Sequence, residues 1–429
     1  MSIKRYYNLG KEILFPICRS ITGNGIKKTL KIIKTQLPEL KIYQVKSGTK
    51  VFDWKVPPEW NIKDAYILDK NNIKIIDFKK NNLHLVSYSV PVSKILKKNE
   101  LLDRLHDYKK IPEAIPYVTS YYKKYWGFCC SFNQKKQIID SYSKDDKFKV
   151  VINSSLKKGG NLLYGEFLIP GKSKQEILIS TYVCHPSLAN NELSGPIVAM
   201  SLIQSFLKKK NNKTLRFLFI PETIGSIVFI HKNLKHLREN VIGGYNLTCI
   251  GDDRMHSCMF SKYGNTLSDQ SLIKSYKKLN IRPKVYSFLQ RGSDERQYCS
   301  PGIELPIASI FRSKYGEYPE YHTSHDNFNI VNLKGLKGGY LVARTAIKIL
   351  LKKIIPKVKI LCEPNMGKRG LYPTLSRNKL KHFTKDLMNF LTYSDGKNDL
   401  KNISKLIKKN YHQTKKIYKI LLKEKLLIN

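Results

Sequence analysis

Between residues 176 and 311 the chain repeats one pattern, a continuous apolar run that stops at a polar residue. Glu176 to Val183 runs into Cys184, His185 and Pro186, and Leu215 to Ile220 into Pro221 and Glu222. Gly243 to Ile250 runs into Gly251, Asp252 and Asp253, and Ile307 to Phe311 into the loop that begins at Arg312. Runs that are apolar without alternation suit strands covered on both faces, as in a parallel sheet between helices. The helical stretch Gly195 to Leu207 between the first two runs fits that alternation of strand and helix. In such sheets function sits just past the carboxyl ends of the strands. His185, Glu222 and the Asp252–Asp253 pair all stand there.

The flanking texture differs. Tyr6 to Leu14 and Ile26 to Thr35 carry helical spacing, with Ile26, Leu30 and Ile33 on one face. Val51 to Tyr88 breaks into short alternating stretches that read as a small β-rich unit inserted in the larger one. Phe148 to Ile152 and Leu163 to Ile169 are strand-like. After Leu350 come three helical segments: Leu387, Phe390 and Leu391 mark the first, Leu400, Ile403, Leu406 and Ile407 the second, and Ile417, Ile420, Leu421 and Leu426 the third. A tight turn near Asn410 gives helix-turn-helix spacing, and Leu426 to Ile428 can begin a wing strand.

Size and charge narrow the class. A chain of 429 residues has room for two or three domains, and no run of 18 apolar residues exists to cross a bilayer. The start carries no apolar leader, which leads us to expect a cytoplasmic protein. Eight scattered cysteines without a CxxC pair suit a reducing compartment. The net charge of +44 is an excess of lysine spread from end to end, so solvated faces are its plainer meaning and nucleic acid is a lesser candidate partner than a small molecule. Self-association into a homo-oligomer is compatible with the sequence.

Metal-assisted hydrolysis requires imidazoles and carboxylates to hold an ion, and a further carboxylate to take a proton from the attacking water. The segments around His185, Asn190-Asn191-Glu192, Glu222, Gly292-Ser293-Asp294-Glu295-Arg296 and His322-Thr323-Ser324-His325-Asp326 offer that inventory. Their order resembles zinc exopeptidases of the bacterial leucyl aminopeptidase and glutaminyl cyclase type. The chain is more closely similar to a bacterial aminopeptidase-like family often encoded among polysaccharide-biosynthesis genes. Phe15-Pro16-Ile17-Cys18-Arg19-Ser20, Pro58-Glu59-Trp60-Asn61 and Arg369-Gly370-Leu371-Tyr372-Pro373-Thr374 extend that likeness over the whole chain.

The resemblance implies an α/β fold: a three-layer zinc-aminopeptidase-like sheet (residues 1–46 and 127–352) with an inserted small β-rich domain (47–126) and a C-terminal winged helix (353–429). It places the first metal histidine at His185, the general base at Glu222 and the last histidine at His322. The carboxylates between them are replaced: the bridging aspartate falls on Asn191, a ligand glutamate on Thr223 and a third-strand aspartate on Thr248. Asn and Thr are weak zinc ligands. The expectation is therefore one zinc per chain, held by His185, His322 and a displaced carboxylate among Glu192, Asp252 and Asp253. Asn191, Asp294, Glu295, Arg296 and Arg312 are candidates for contacting substrate, and Asp326 for orienting His322. Arg19, Arg296 and Arg312 either take up an anionic group or pair with the site's own carboxylates. A Cys184–His185 nucleophile is disfavoured, because adjacent strand residues face opposite ways. The expected activity is hydrolysis of a small peptide or sugar-linked amide. The rivals are a non-catalytic binding protein that keeps the cleft and a winged-helix regulator that binds nucleic acid.

Overall fold

The structure is a computed structural model and describes residues 2–371 and 378–428. Tyr372, Pro373 and Thr374 of the motif beginning at Arg369 lie outside the described residues. The chain opens with helix α1 (Ser2–Asn8), a wide turn over Leu9–Leu14, and helix α2 (Asn24–Gln36). Ile26, Leu30 and Ile33 are the buried stripe of α2, as their spacing predicts. Strand β1 (Lys41–Lys46) follows, and then β2 (Glu59–Leu68), β3 (Lys74–Asp77), β4 (Val92–Lys97) and β5 (Lys147–Lys157) form a separate antiparallel sheet in the order β3-β2-β5-β4.

The main sheet adds β6 (Asn161–Ile169), β7 (Gly171–Tyr182), β8 (Asn211–Ile220), β9 (Val241–Leu247), β10 (Ser257–Met259), β11 (Lys284–Tyr286) and β12 (Ile307–Phe311) to β1. Its order is β1-β6-β8-β7-β9-β12-β10-β11. The central four strands are parallel, while β6 meets β8 and β10 meets β12 antiparallel. Residues of β7 alternate between two cores. Ile177 and Ile179 face α2, helix α3 (Ser194–Leu207) and their neighbours, whereas Leu178 and Tyr182 face helix α4 (Ile224–Asn240) and the small sheet. Helices α5 (Leu267–Lys278) and α6 (Leu333–Lys352) complete the first face. The layers are thus helices, sheet, and a mixed layer in which the inserted sheet takes part.

Two boundaries differ from expectation. Residues 147–157 belong to the small sheet and not to the main one. They alternate between covered and open positions, as a strand packed on one face does, so the inserted unit extends past residue 126. Strand β9 ends at Leu247, three residues early, because Cys249 takes a left-handed backbone (φ 47°) that strand pairing cannot use.

The tail holds helices α7 (Asn378–Thr392), α8 (Leu400–Leu406) and α9 (Tyr411–Lys423). Its own core contains Leu387, Phe390, Leu400, Ile403, Ile417 and Leu421, while Leu406 is exposed. Strands β13 (Lys357–Val358) and β14 (Leu427–Ile428) pair antiparallel and close it. Lys353 forms an ion pair with Asp399 in which both side chains are more than nine-tenths buried. Lys213 Nζ donates to the Lys353 carbonyl and Gln175 Nε2 to that of Ile355, tying the tail's first residues to the main sheet. Among the described residues no helix is long and apolar enough to cross a membrane.

Candidate active site

The site forms where the parallel strands end. After Tyr182 the chain turns through Cys184 and His185 into a wide, π-helical turn over Ala189–Leu193, which widens the spiral before α3 begins. That turn brings Glu192 under His185: Nδ1–H donates to Glu192 Oε2 at 2.8 Å. Arg19, fully buried, donates from Nε to the His185 carbonyl at 2.9 Å, and the same atom lies 3.4 Å from Glu192 Oε1. The imidazole is therefore fixed in orientation, with a carboxylate behind Nδ1 and Nε2 facing forward. Nε2 lies 3.6 Å from Glu222 Oε2, beyond hydrogen-bond length.

Glu222 follows β8. Ser293 Oγ donates to its Oε1 at 2.6 Å, and its side chain is 21% exposed. Burial raises its pKa, with His185 and the Ser293 hydrogen bond pulling the other way. His322 has a left-handed backbone (φ 56°). Its ring stacks on Tyr321 at 3.9 Å, meets the edge of Tyr117 at 5.1 Å and lies 5.8 Å from the His185 ring. Burial, and then His185, push its pKa down to about 3, so it is a neutral imidazole at neutral pH. His185 thus has a carboxylate, Glu222, 3.6 Å from Nε2 and a second imidazole, His322, 5.8 Å away ring to ring, which are donor types of a zinc-type site. Among the described residues, Cys184, His185 and Glu192 are the one group whose ligand atoms all lie within 4.8 Å of one another.

Asn191 and Thr248, which stand where carboxylates are expected by resemblance, are bridged by a neutral group. Tyr182 Oη donates to Asn191 Oδ1 at 3.0 Å and also bonds Thr248 Oγ1. Cys184 Sγ lies 3.6 Å from His185 Nδ1, a contact that strand alternation argued against; it forms because the strand has ended at Tyr182. Burial pushes the Cys184 thiol up to about 11, so it stays protonated and is a poor nucleophile.

The other candidates are spread out. Asp252 accepts from Asn190 Nδ2, Ser313 N and Ser313 Oγ, and Asp253 pairs with Lys334, so both carboxylates are engaged by other partners. Glu192 lies at the Nδ1 side of His185, opposite the opening. Asp294 accepts from Thr223 N and Ser226 Oγ at the start of α4, and burial pushes its pKa up to about 7, with Glu222 adding to the rise. Glu295 accepts from Gly292 N, Ser293 N, Tyr315 Oη, Asn246 Nδ2 and Ser309 Oγ, which occupies both of its oxygens. Arg312 bonds His256, remote from the site. Arg296 alone of these stands at the rim, exposed, with Nη2 donating to Thr223 Oγ1 at 2.5 Å. Asp326 binds Asn190 N, Asn191 N and Tyr318 Oη, and so orients the π-helical turn and not His322. Tyr117, Tyr182 and Ser293 were not among the residues singled out by sequence. Tyr182 and Ser293 sit inside motifs that were, whereas Tyr117 comes from an irregular segment without periodicity.

Residues 7–353 match the family described as a domain of unknown function, DUF4910, and residues 353–429 match the winged helix-turn-helix family HTH_47. A protein of Clostridium acetobutylicum, provisionally named a polysaccharide biosynthesis protein with an aminopeptidase-like domain, is 42% identical over 403 residues, which is 93% of this chain and 90% of that one. A crystal structure of a protein from the same organism, provisionally assigned as a peptidase, superposes with a TM-score of 0.79 at 42% identity, covering 99% of this chain and 96% of that one. A zinc aminopeptidase from Bacillus subtilis superposes with a TM-score of 0.61 at 13% identity, covering 82% and 95%, a likeness of fold.

Proposed function

The chain belongs to the DUF4910 family and is aminopeptidase-like with a winged-helix tail, and from this premise we propose that it hydrolyses a small peptide or sugar-linked amide with one zinc-type ion. The observation that carries this reading is the pairing of Glu222 with a pinned imidazole: Oε2 lies 3.6 Å from His185 Nε2 while Glu192 holds Nδ1. His185 and His322 would hold the ion. Bound there, it would polarise the amide carbonyl and make water easier to deprotonate.

The chain's own residues do the rest. Glu222, raised in pKa by burial, accepts the proton of the attacking water at Oε2 and passes it to the leaving nitrogen. Ser293 keeps Oε1 occupied, so that Oε2 is the atom presented. Arg19 and Glu192 keep His185 from rotating, and Tyr117 and Tyr321 wall His322 from bulk water. Arg296, exposed beside Thr223, is the group that meets an anionic end of the substrate. The name of the Clostridium acetobutylicum relative joins polysaccharide biosynthesis to an aminopeptidase-like domain, and so is compatible with either a sugar-linked amide or a peptide. Two imidazoles hold an ion less firmly than three protein donors, so chelation by EDTA should strip it quickly.

Glu222→Gln keeps the shape and removes the base. It should fold and retain metal by elemental analysis, yet lose about 10² to 10⁴ in turnover on an amide panel. Loss of the metal instead would make Glu222 a ligand. The neutral Tyr182–Asn191–Thr248 bridge favours a second reading, in which the cleft binds without cleaving. Absence of turnover by the native protein across the panel, with ligand still bound, would select it.

A further inference from the structure

A second cavity, about 690 Å³ in volume, opens where the inserted sheet meets the main body, between Pro57, Pro58 and the end of β5 on one side and residues 121–124 on the other. Its lining contains four lysines, Lys55, Lys123, Lys124 and Lys158, and no acidic residue. All four are exposed, and among the described residues none has an ion-pair partner. Lysine is common in this chain, so the charge alone would mean little. Ring surface in the same cavity gives it meaning. Tyr88 lies against Trp60, with ring centres 5.9 Å apart and planes 24° from parallel, and Tyr121 meets its edge at 5.7 Å. Tyr122, 53% exposed, stands beside them with its edge on Trp54. The Tyr88 hydroxyl is bonded to the Pro58 carbonyl, and that of Tyr121 to Tyr117 Oη at 2.5 Å. Tyr88 is buried and backs the wall, so the ring surface open to a ligand is that of Tyr122 and, in part, Tyr121.

We propose that this cavity is a binding site for a pyranose ring that carries an anionic group, the ring lying against the tyrosines and the anion among the unpaired lysines. Apolar ring walls with a few converging charged groups are what a polar cyclic ligand requires: the walls take its C–H faces and the charges fix its orientation. A lone anion would have no use for the rings, and a neutral sugar none for the ammonium groups. The site is separate from Glu222 and does not depend on amide hydrolysis. Tyr121 nevertheless forms its inner wall, and through Tyr117, whose ring touches those of His185 at 5.2 Å and His322 at 5.1 Å, a bound ring abuts the partition of the catalytic cleft.

Calorimetric titration of the full chain at fixed low salt tests this with four probes: glucose 6-phosphate, glucuronate, glucose and inorganic phosphate. At least one acidic sugar should bind about tenfold more tightly than both glucose and inorganic phosphate. Which acidic sugar does so identifies the anion as phosphate or carboxylate. Lys123→Gln with Lys124→Gln should weaken that binding about tenfold, whereas the charge-matched pair Lys27→Gln with Lys31→Gln on α2 should not. Tyr122→Ala should weaken the sugar and leave inorganic phosphate unchanged. Inorganic phosphate binding as well as glucose 6-phosphate, equal loss from the two lysine pairs, or no binding of either acidic sugar would overturn the proposal.

Discussion

At Tyr182 a single hydroxyl stands between two neutral residues at positions where the resemblance leads one to expect carboxylates. It donates to Asn191 and bonds Thr248, so the space between them is filled by neutral hydrogen bonds. Restoring carboxylates with Asn191→Asp and Thr248→Asp, and removing the hydroxyl with Tyr182→Phe, should raise bound zinc from one to two per chain by elemental analysis. Without metal the triple variant should be less stable, because two buried carboxylates would face each other unpaired. Tyr182→Phe alone should cost about 2 kcal/mol in denaturant unfolding, the usual net value of two buried hydrogen bonds.

His256 shows the same logic in pH. Burial, and then Arg312, lower its pKa to about 4, whereas in the unfolded chain it titrates near about 6.5. Below 6.5 the unfolded chain takes up a proton that the folded ring refuses. The stability conferred by a neutral His256 is therefore complete above that pH and is lost as the pH falls toward 4. Allowing for the partial exposure of the ring, the loss should be about 1 kcal/mol between pH 7 and pH 4.5. In His256→Gln this part of the acid slope should vanish from melts taken across that range; a slope identical to that of the native chain would count against the assignment.

Among elements, the π-helical turn before α3 does most to build the site. It sets Asn191 and Glu192 both inward, and it depends on how closely α3 approaches the sheet. Gly195 makes that approach: a Cβ there would lie 2.5 Å from the Leu247 carbonyl and collide with Thr181 Oγ1. Gly195→Ala should push α3 off β7 and β9, cost about 3 kcal/mol and loosen the metal through Glu192, measured by melting and by chelator competition.

The parts of the site legible in the sequence were those that regular strands deliver. His185 and Glu222 follow β7 and β8, and their apolar runs announced them. Asp252 and Asp253 follow an equally clear run, yet the left-handed Cys249 ends β9 early and their carboxylates are engaged by Ser313 and Lys334. The sequence offers Glu192 as a candidate metal ligand and not as the partner of His185 Nδ1, because a helical turn of the usual width would have faced it elsewhere. Tyr117 arrives from a loop without periodicity, and no local pattern reports such long-range packing. The extent of the small sheet was missed at β5, whose alternation was there to be read.

Over the whole molecule, the tail is not a free appendage. The buried pair Lys353–Asp399 lies at its root, and Lys213 reaches the same point from the main sheet. Asp399→Ala would leave a buried ammonium without its partner, at a cost of about 3 kcal/mol. Calorimetry should then resolve a separate, earlier transition for the tail, with its three-helix core melting ahead of the main sheet. A single unshifted transition would show that the pair contributes nothing to docking.

The edge of the main sheet imposes an order in time. Among the described residues strand β1 pairs only with β6, Lys46 opposite Asn161, and everything between them, the whole small sheet included, is one long loop that this pairing must close. Closing such a loop from an unstructured chain costs about 4 kcal/mol of entropy by the logarithmic length rule, against about 2 for a ten-residue turn. A folded insert shortens that loop by bringing β2 and β5 side by side, with their near ends at Glu59 and Lys157. Synthesis delivers β1 long before its partner, so nascent β1 stays an open edge until the insert has collapsed. The refolding rate should therefore fall with destabilising changes in the insert's core, such as Ile67→Ala, far more than with Leu30→Ala under the main sheet.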